Sequence, residues 1–194
     1  MPLLVGSVLS RGTLRDVAQP RLAVGGGLLL RPWQGRDADV VRTAFGCPDI
    51  QRWHVRRLDT LEEAGEWVGQ WADHWDAETA ASWAVVGHDD EPFGQVGLRE
   101  VSLAQGSAAL SYWVTPAARG RGVAAAAVDS LSAWAFGQAG FNRLNIHHST
   151  ANTASCRVAT TAGYQLEGTL RQAIMHADGW HDWHVHGRLR TDSR

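Results

Sequence analysis

The stretch from Leu110 to Ala125 constrains this chain more than any other. An extended run, Leu110-Ser111-Tyr112-Trp113-Val114, gives way through Thr115-Pro116-Ala117-Ala118-Arg119 to a helix that opens on Gly120 and Gly122. Glycines let the backbone approach an anion closely, and the free N–H groups and positive end of the helix then hold a pyrophosphate. Arg119 and Arg121 add charge at the same point. A plain glycine-rich turn is the bland alternative. A sharper rival is the dinucleotide fingerprint G-x-G-x-x-G/A, which Gly120-Arg121-Gly122-Val123-Ala124-Ala125 matches literally. Against it, Pro116-Ala117-Ala118 separates the strand from the glycines. After Asp129 the next carboxylate is Glu167, so none stands about twenty positions on to bind a ribose. A nucleoside-triphosphate loop fails too, since no Gly-Lys-Ser/Thr follows.

The elements around this turn order themselves by period and punctuation. Met1 to Val24 is a lead-in of weak periodicity, and residues 25–194 read as one domain that starts at the Gly25-Gly26-Gly27 turn. Leu28 to Arg31 is a strand. From Asp37, the residues Val40, Val41, Ala44 and Phe45 repeat at helical spacing until Gly46 and Pro48 stop them. Thr60 and Glu63 form a capping-box spacing ahead of a second helix, whose apolar stripe is Leu61, Ala64, Trp67, Val68, Trp71 and Trp75. Strands follow at Ser82–Gly87, Phe93–Val101 and Ala108–Val114, separated by turn residues. Then come a helix from about Gly122 to Phe136, a strand at Arg143–His148, and a short helix from about Thr153 to Ala162 with Gly163 as a left-handed cap. A hairpin closes the chain, Thr169–His176 with Trp180–Leu189, and Asp178-Gly179 is expected at its tip. This order predicts a mixed α/β (α+β) sheet flanked by helices.

Composition narrows the function classes. The 194 residues fit one domain with a substantial core, and the net charge of −2 supplies no global field toward nucleic acid or an anionic membrane. No run approaches the ~18 apolar residues of a membrane span, and Met1 to Ser10 lacks the basic leader of a signal peptide. Two distant cysteines, Cys47 and Cys156, supply neither a disulfide framework nor a four-ligand zinc site. A cytoplasmic protein is expected. Ten tryptophans point to large apolar surface for a core or an oligomer interface.

Arg119-x-x-Gly122-x-Ala124 resembles the acyl-CoA pyrophosphate motif R/Q-x-x-G-x-G/A of the GNAT superfamily, and the Tyr112-Trp113-Val114-x-Pro116 strand before it is similar too. Downstream, Asn152-x-x-Ser155, Gly163-Tyr164 and Glu167-Gly168 resemble the N-x-x-S…G-F/Y-x-x-E-G pattern of the branch containing the ribosomal-protein N-terminal acetyltransferases. The resemblance covers nearly everything but the lead-in. It implies a sheet splayed between its fourth strand, ending at Val114, and its fifth, starting at Arg143. Acetyl-CoA would lie in that gap, with Trp113, Val114, Arg119, Gly120, Arg121, Gly122, Val123, Ala124 and Asn152 as cofactor contacts. It also implies a homodimer, in keeping with the tryptophan excess.

Acyl transfer from a thioester to an amine needs a polarised carbonyl, a deprotonated amine and an acid for the leaving thiolate. By resemblance, a backbone N–H near Val114 polarises the carbonyl and Ser155 is the acid. The tyrosine that many relatives carry seven residues after the motif asparagine is Ala159 here. The glutamate that many carry in the strand before Tyr112 is Ala109, which leaves Glu100, Glu167 and His176 as candidate bases, or an amine that arrives deprotonated. Direct transfer needs no covalent enzyme intermediate, so Cys156 is expected as a buried thiol. His176, His181, His184 and His186 crowd the last hairpin. Three imidazoles could ligate zinc, but with no carboxylate or thiol forced near them they read as a polar wall of the acceptor cleft, and no metal is expected. Two function classes remain: an N-acyltransferase acting on a small amine or a protein N-terminus, carrying acetyl or another acyl group, and a catalytically weak acyl-CoA-binding module.

Overall fold

The computed structural model describes residues 4–192, so the first three residues of the lead-in and the last two of the chain lie outside it. Eight strands form one sheet in the order β1-β2-β3-β4-β5-β6-β8-β7. They are β1 Leu22–Val24, β2 Leu28–Pro32, β3 Ala81–Val86, β4 Pro92–Ser102, β5 Ser107–Val114, β6 Arg143–Ser149, β7 Gln165–His176 and β8 Gly179–Leu189. The helices are α1 Ala38–Phe45, α2 Pro48–His54, α3 Leu61–Asp76, α4 Val123–Gly137 and α5 Thr153–Thr161. Every neighbouring pair is antiparallel except β5 with β6. That parallel pair runs only from Ser107↔Arg143 to Leu110↔Ile146. Beyond it, the strands continue to Val114 and Ser149 without pairing to each other. This is the expected splay. The strands are fifth and sixth rather than fourth and fifth because Leu22–Val24 adds a strand ahead of Gly25.

The lead-in is built into the sheet's edge. Glu78 accepts from the backbone N–H groups of Gly12 and Leu14, both at 2.8 Å, and Leu14 is fully buried. Two apolar clusters flank the sheet. The larger holds α4 and the inward side of β2 to β6, with Trp75, Trp83 and Trp134 in mutual contact. The smaller packs α1, α2 and α3 around Trp67, Trp71 and Trp113. The tryptophan stripe of α3 is thus a core face, as its spacing predicts, although Leu61 at the helix start is 52% exposed and leaves that face. The Thr60–Glu63 capping box is closed in both directions at 3.1 Å.

Two local readings of the sequence change. Gly46 and Pro48 do end α1, but Pro48 also opens α2, because proline at the first helical position costs no hydrogen bond. In the last hairpin β7 starts at Gln165, not Thr169, with a bulge between Leu166 and Gly168. His176 pairs with Gly179, so the tip is Ala177-Asp178, and Gly179 takes the positive φ (+120°) just after it.

Candidate active site

A cleft of about 660 Å³ opens where β5 and β6 part. Its floor is Tyr112, Trp113 and Val114 of β5; the start of α4 closes one side, α5 the other, and α2 roofs it with Trp53 and His54. Each wall follows from local chemistry. Gly120 and Gly122 hold φ near +73° and +74°, a left-handed conformation that costs other residues about 1–2 kcal/mol. A Cβ added at either would meet nothing within 4 Å, so the loop presents open backbone to the cleft. No side chain caps the α4 N-terminus. Its first N–H groups, which have no partner inside a helix, are left for an anion. This cradle fits the pyrophosphate of CoA.

The two loop arginines differ. Arg119 lines the cleft, but its guanidinium is held by Asp49 of α2 at 2.6 Å, and its Nε donates to the Val114 carbonyl at 3.4 Å. Arg121 does not line the cleft; it lies over the Phe93 ring at 5.9 Å. Of the other expected cofactor contacts, Trp113, Val114, Gly120, Gly122, Val123, Ala124 and Asn152 all face the cleft. Exposed Arg157 of α5 joins them as a cation that sequence reading missed.

The oxyanion side is set by strand geometry. The Tyr112 carbonyl accepts from His54 Nε2 at 3.1 Å and the Val114 carbonyl from Arg119, so both point away from the β4 ladder. In an extended strand a residue's N–H leaves on the same edge as its C=O. The Val114 N–H therefore faces the splay. His54 is kept neutral: burial, with help from Arg99 and Arg56, lowers its pKa to about 4 against the opposing hydrogen bond to Tyr112.

Ser155 sits in the first turn of α5, 9% exposed, with its Oγ 2.7 Å from the Tyr112 hydroxyl. Burial pushes the Tyr112 phenol up to about 12, so it stays protonated at working pH. The Asn152 side-chain oxygen accepts from Ser155 N at 3.0 Å, which makes it the helix N-cap. It orients Ser155 as well as facing the cleft. Among the candidate bases, Glu167 is bound to Arg143 and His176 is buried against the Arg52 carbonyl at 2.9 Å. Exposed Glu100 has a φ of +51° at the β4 bulge; it has no hydrogen bond or ion pair among the described residues and does not line the cleft. None of the four hairpin histidines lines it either. The expectation that no thiol comes near them is corrected by the packing of α5 on β6 and β8, which sets Cys156 Sγ 4.0 Å from His186 Nε2.

This arrangement has relatives. Residues 27–165 match the family model described as the acetyltransferase (GNAT) domain. The uncharacterized N-acetyltransferase YoaA of Bacillus subtilis is 23% identical over 165 residues, spanning 84% of this chain and 93% of its own. Among solved structures, the ribosomal-protein-S5-alanine acetyltransferase of Vibrio fischeri superposes with a TM-score of 0.80 at 17% identity, covering 91% of this chain and all of the other. RimJ of Mycobacterium smegmatis, in complex with CoA-disulfide, gives 0.76 at 22% identity over 88% of this chain and 86% of the other. With 139 residues inside the family model, the chain belongs to the GNAT family: it is an N-acetyltransferase, and acetyl-CoA is its cosubstrate.

Proposed function

We propose that the chain transfers acetyl from acetyl-CoA to a primary amine, a protein N-terminus or a small amine, by direct attack within the splay. The observation that carries this reading is the convergence on one cleft of an open anion cradle at Gly120–Gly122, the Val114 N–H and the Ser155 hydroxyl. The amine lone pair attacks the thioester carbonyl carbon, and the oxygen's developing charge falls on the Val114 N–H. As the C–S bond breaks, the sulfur takes the Ser155 proton. With Tyr112 as the donor in its 2.7 Å contact with Ser155 Oγ, the serine proton is free to point at sulfur, and the phenol supports the oxygen afterwards. The amine's proton passes to water, and solvent returns one to the Ser155 oxygen. Glu100 as base takes it only through solvent, because it stands outside the cleft wall. Arg119 and Arg157 complete the phosphate site, Arg119 by exchanging Asp49 for the ligand.

The N-terminal acceptor is favoured by the Asn152-x-x-Ser155 spacing and by fold neighbours named for acting on ribosomal proteins. Exposed Leu166, Leu170, Met175 and Trp180 line the outer β7–β8 edge and supply the apolar surface a homodimer would bury. Light scattering of a dimer, lost on charging Leu170, is the expected result.

The test is turnover of acetyl-CoA against a panel of amines that includes short peptides with free N-termini. Thiol release that depends on the amine supports acetyl transfer. Tight CoA binding without turnover of any acyl-CoA would instead mark a weak acyl-CoA-binding module.

A further inference from the structure

The histidines that the sequence groups in the last hairpin divide in the structure. His181 stays at the tip with His176, ring centroids 4.5 Å apart, and with Asp178 at 2.9 Å. His184 and His186, on one face of β8, meet different company. His148 of β6 lies directly opposite His184 in the ladder, and Cys156 comes down from α5. One ligand-capable atom from each of the four residues lies within 4.8 Å of the other three.

Hydrogen bonds fix how two of the rings are presented. His148 Nδ1 is 2.8 Å from the Ser149 carbonyl, and His186 Nδ1 is 3.5 Å from the Tyr164 carbonyl. A carbonyl only accepts, so each Nδ1 carries the proton and each Nε2 is a lone pair. Those two Nε2 atoms are 3.2 Å apart. Facing lone pairs repel unless a cation lies between them. A shared proton would account for that pair alone. It leaves Cys156 Sγ at 4.0 Å from His186 Nε2 without a role, and the buried Nδ1 of His184 with no hydrogen-bond partner among the described residues.

A metal accounts for all four. With Zn–N near 2.0–2.1 Å and Zn–S near 2.3 Å, a tetrahedron has N···N edges of about 3.3 Å and N···S edges of about 3.6 Å. The observed 3.2 Å and 4.0 Å sit close to both. The carbonyls on the far nitrogens are the partners that orient ligating histidines in such sites. We propose that His148, Cys156, His184 and His186 form a tetrahedral site for a divalent, zinc-type cation that ties α5 to the β6–β8 ladder. One thiolate with three imidazoles is a borderline-soft donor set that suits zinc. The cation replaces the Cys156 thiol proton, which leaves to solvent. Four protein ligands close the coordination, so the site is structural, and α5, which it would anchor, also carries Asn152 and Ser155. The proposal stands independently of the acetyl-transfer reading.

The test is titration of Co²⁺ into the tag-free, reduced chain after chelator stripping. Expected are one saturable equivalent, visible bands of tetrahedral intensity and a thiolate-to-cobalt charge-transfer band, all displaced by Zn²⁺. Cys156→Ser should lose the charge-transfer band while Cys47→Ser keeps it. His184→Gln and His186→Gln should each weaken Co²⁺ binding by more than the about 10–100-fold typical of losing an outer hydrogen-bond partner. Absence of saturable uptake overturns the site, and so does a charge-transfer band that survives in Cys156→Ser. Should that variant fail to fold, the parent decides: a sulfur band retained in Cys47→Ser supports the site, and a parent without one overturns it.

Discussion

The hydroxyls of Tyr112 and Ser155 are 2.7 Å apart, joining the C-terminal end of β5 to the first turn of α5 across the floor of the cleft. Among the described residues the Tyr112 hydroxyl meets only Ser155, its Oγ and, at 3.3 Å, its backbone carbonyl, so the pair acts as a unit. Removing the phenol should lower kcat without removing the acid itself. Tyr112→Phe is expected to lose less than Ser155→Ala, and the double variant should be little worse than Ser155→Ala alone, because groups acting as one unit are not additive. Steady-state kinetics on the two single variants and the double variant check this; a fully additive loss would separate the two hydroxyls.

Gly122 carries the anion cradle. An added Cβ meets no atom within 4 Å, so Gly122→Glu should fold while placing a negative charge in the nest. Its φ of +74° costs both Gly122→Ala and Gly122→Glu about 1–2 kcal/mol of strain, which makes the alanine variant the control. Calorimetry should show CoA affinity reduced about 100-fold or more by glutamate, about 2.7 kcal/mol, and much less by alanine. Equal binding by parent and glutamate variant would move the phosphate site elsewhere.

His54 links stability to pH. Its folded pKa of about 4 lies below the ordinary value near 6.5, so the unfolded chain binds the extra proton between those limits. Stability therefore falls as pH drops from about 6.5 toward 4, by roughly 3 kcal/mol in full and about 2 kcal/mol by pH 5. Urea unfolding at pH 7 and pH 5 should show the parent losing about 2 kcal/mol more than His54→Gln over that interval. Equal losses would mean that this imidazole takes up its proton without penalty in the folded chain.

Much of this architecture is legible in the sequence, and the residues show why. Apolar runs and glycine punctuation place β2 to β6, α3 and α4 within a few residues: α3 and β5 bury one face of regular period, while β3 is a short apolar run buried on both faces. The cradle and the Asn152-x-x-Ser155 turn are local, so their spacing alone marks them. What escapes is long-range. Asp49 takes Arg119 from 70 positions away, and His54 reaches the Tyr112 carbonyl from 58. Pro48 reads equally as a stop and a start, which hides α2 and with it the roof of the cleft. Cys156 and His148 join His184 and His186 only because a helix lies over two paired strands, and no periodicity records that.

Acetyl transfer in the splay depends on Ser155 as the acid. The most direct measurement is single-turnover acetyl transfer by Ser155→Ala, with CoA binding confirmed intact by calorimetry. General acid assistance is typically worth about 10²–10⁴-fold, and the predicted loss is on that scale, falling on the chemical step rather than on CoA affinity. A rate within about twofold of the parent, far below that range, would rule out Ser155 as the acid and leave it a residue of the α5 first turn.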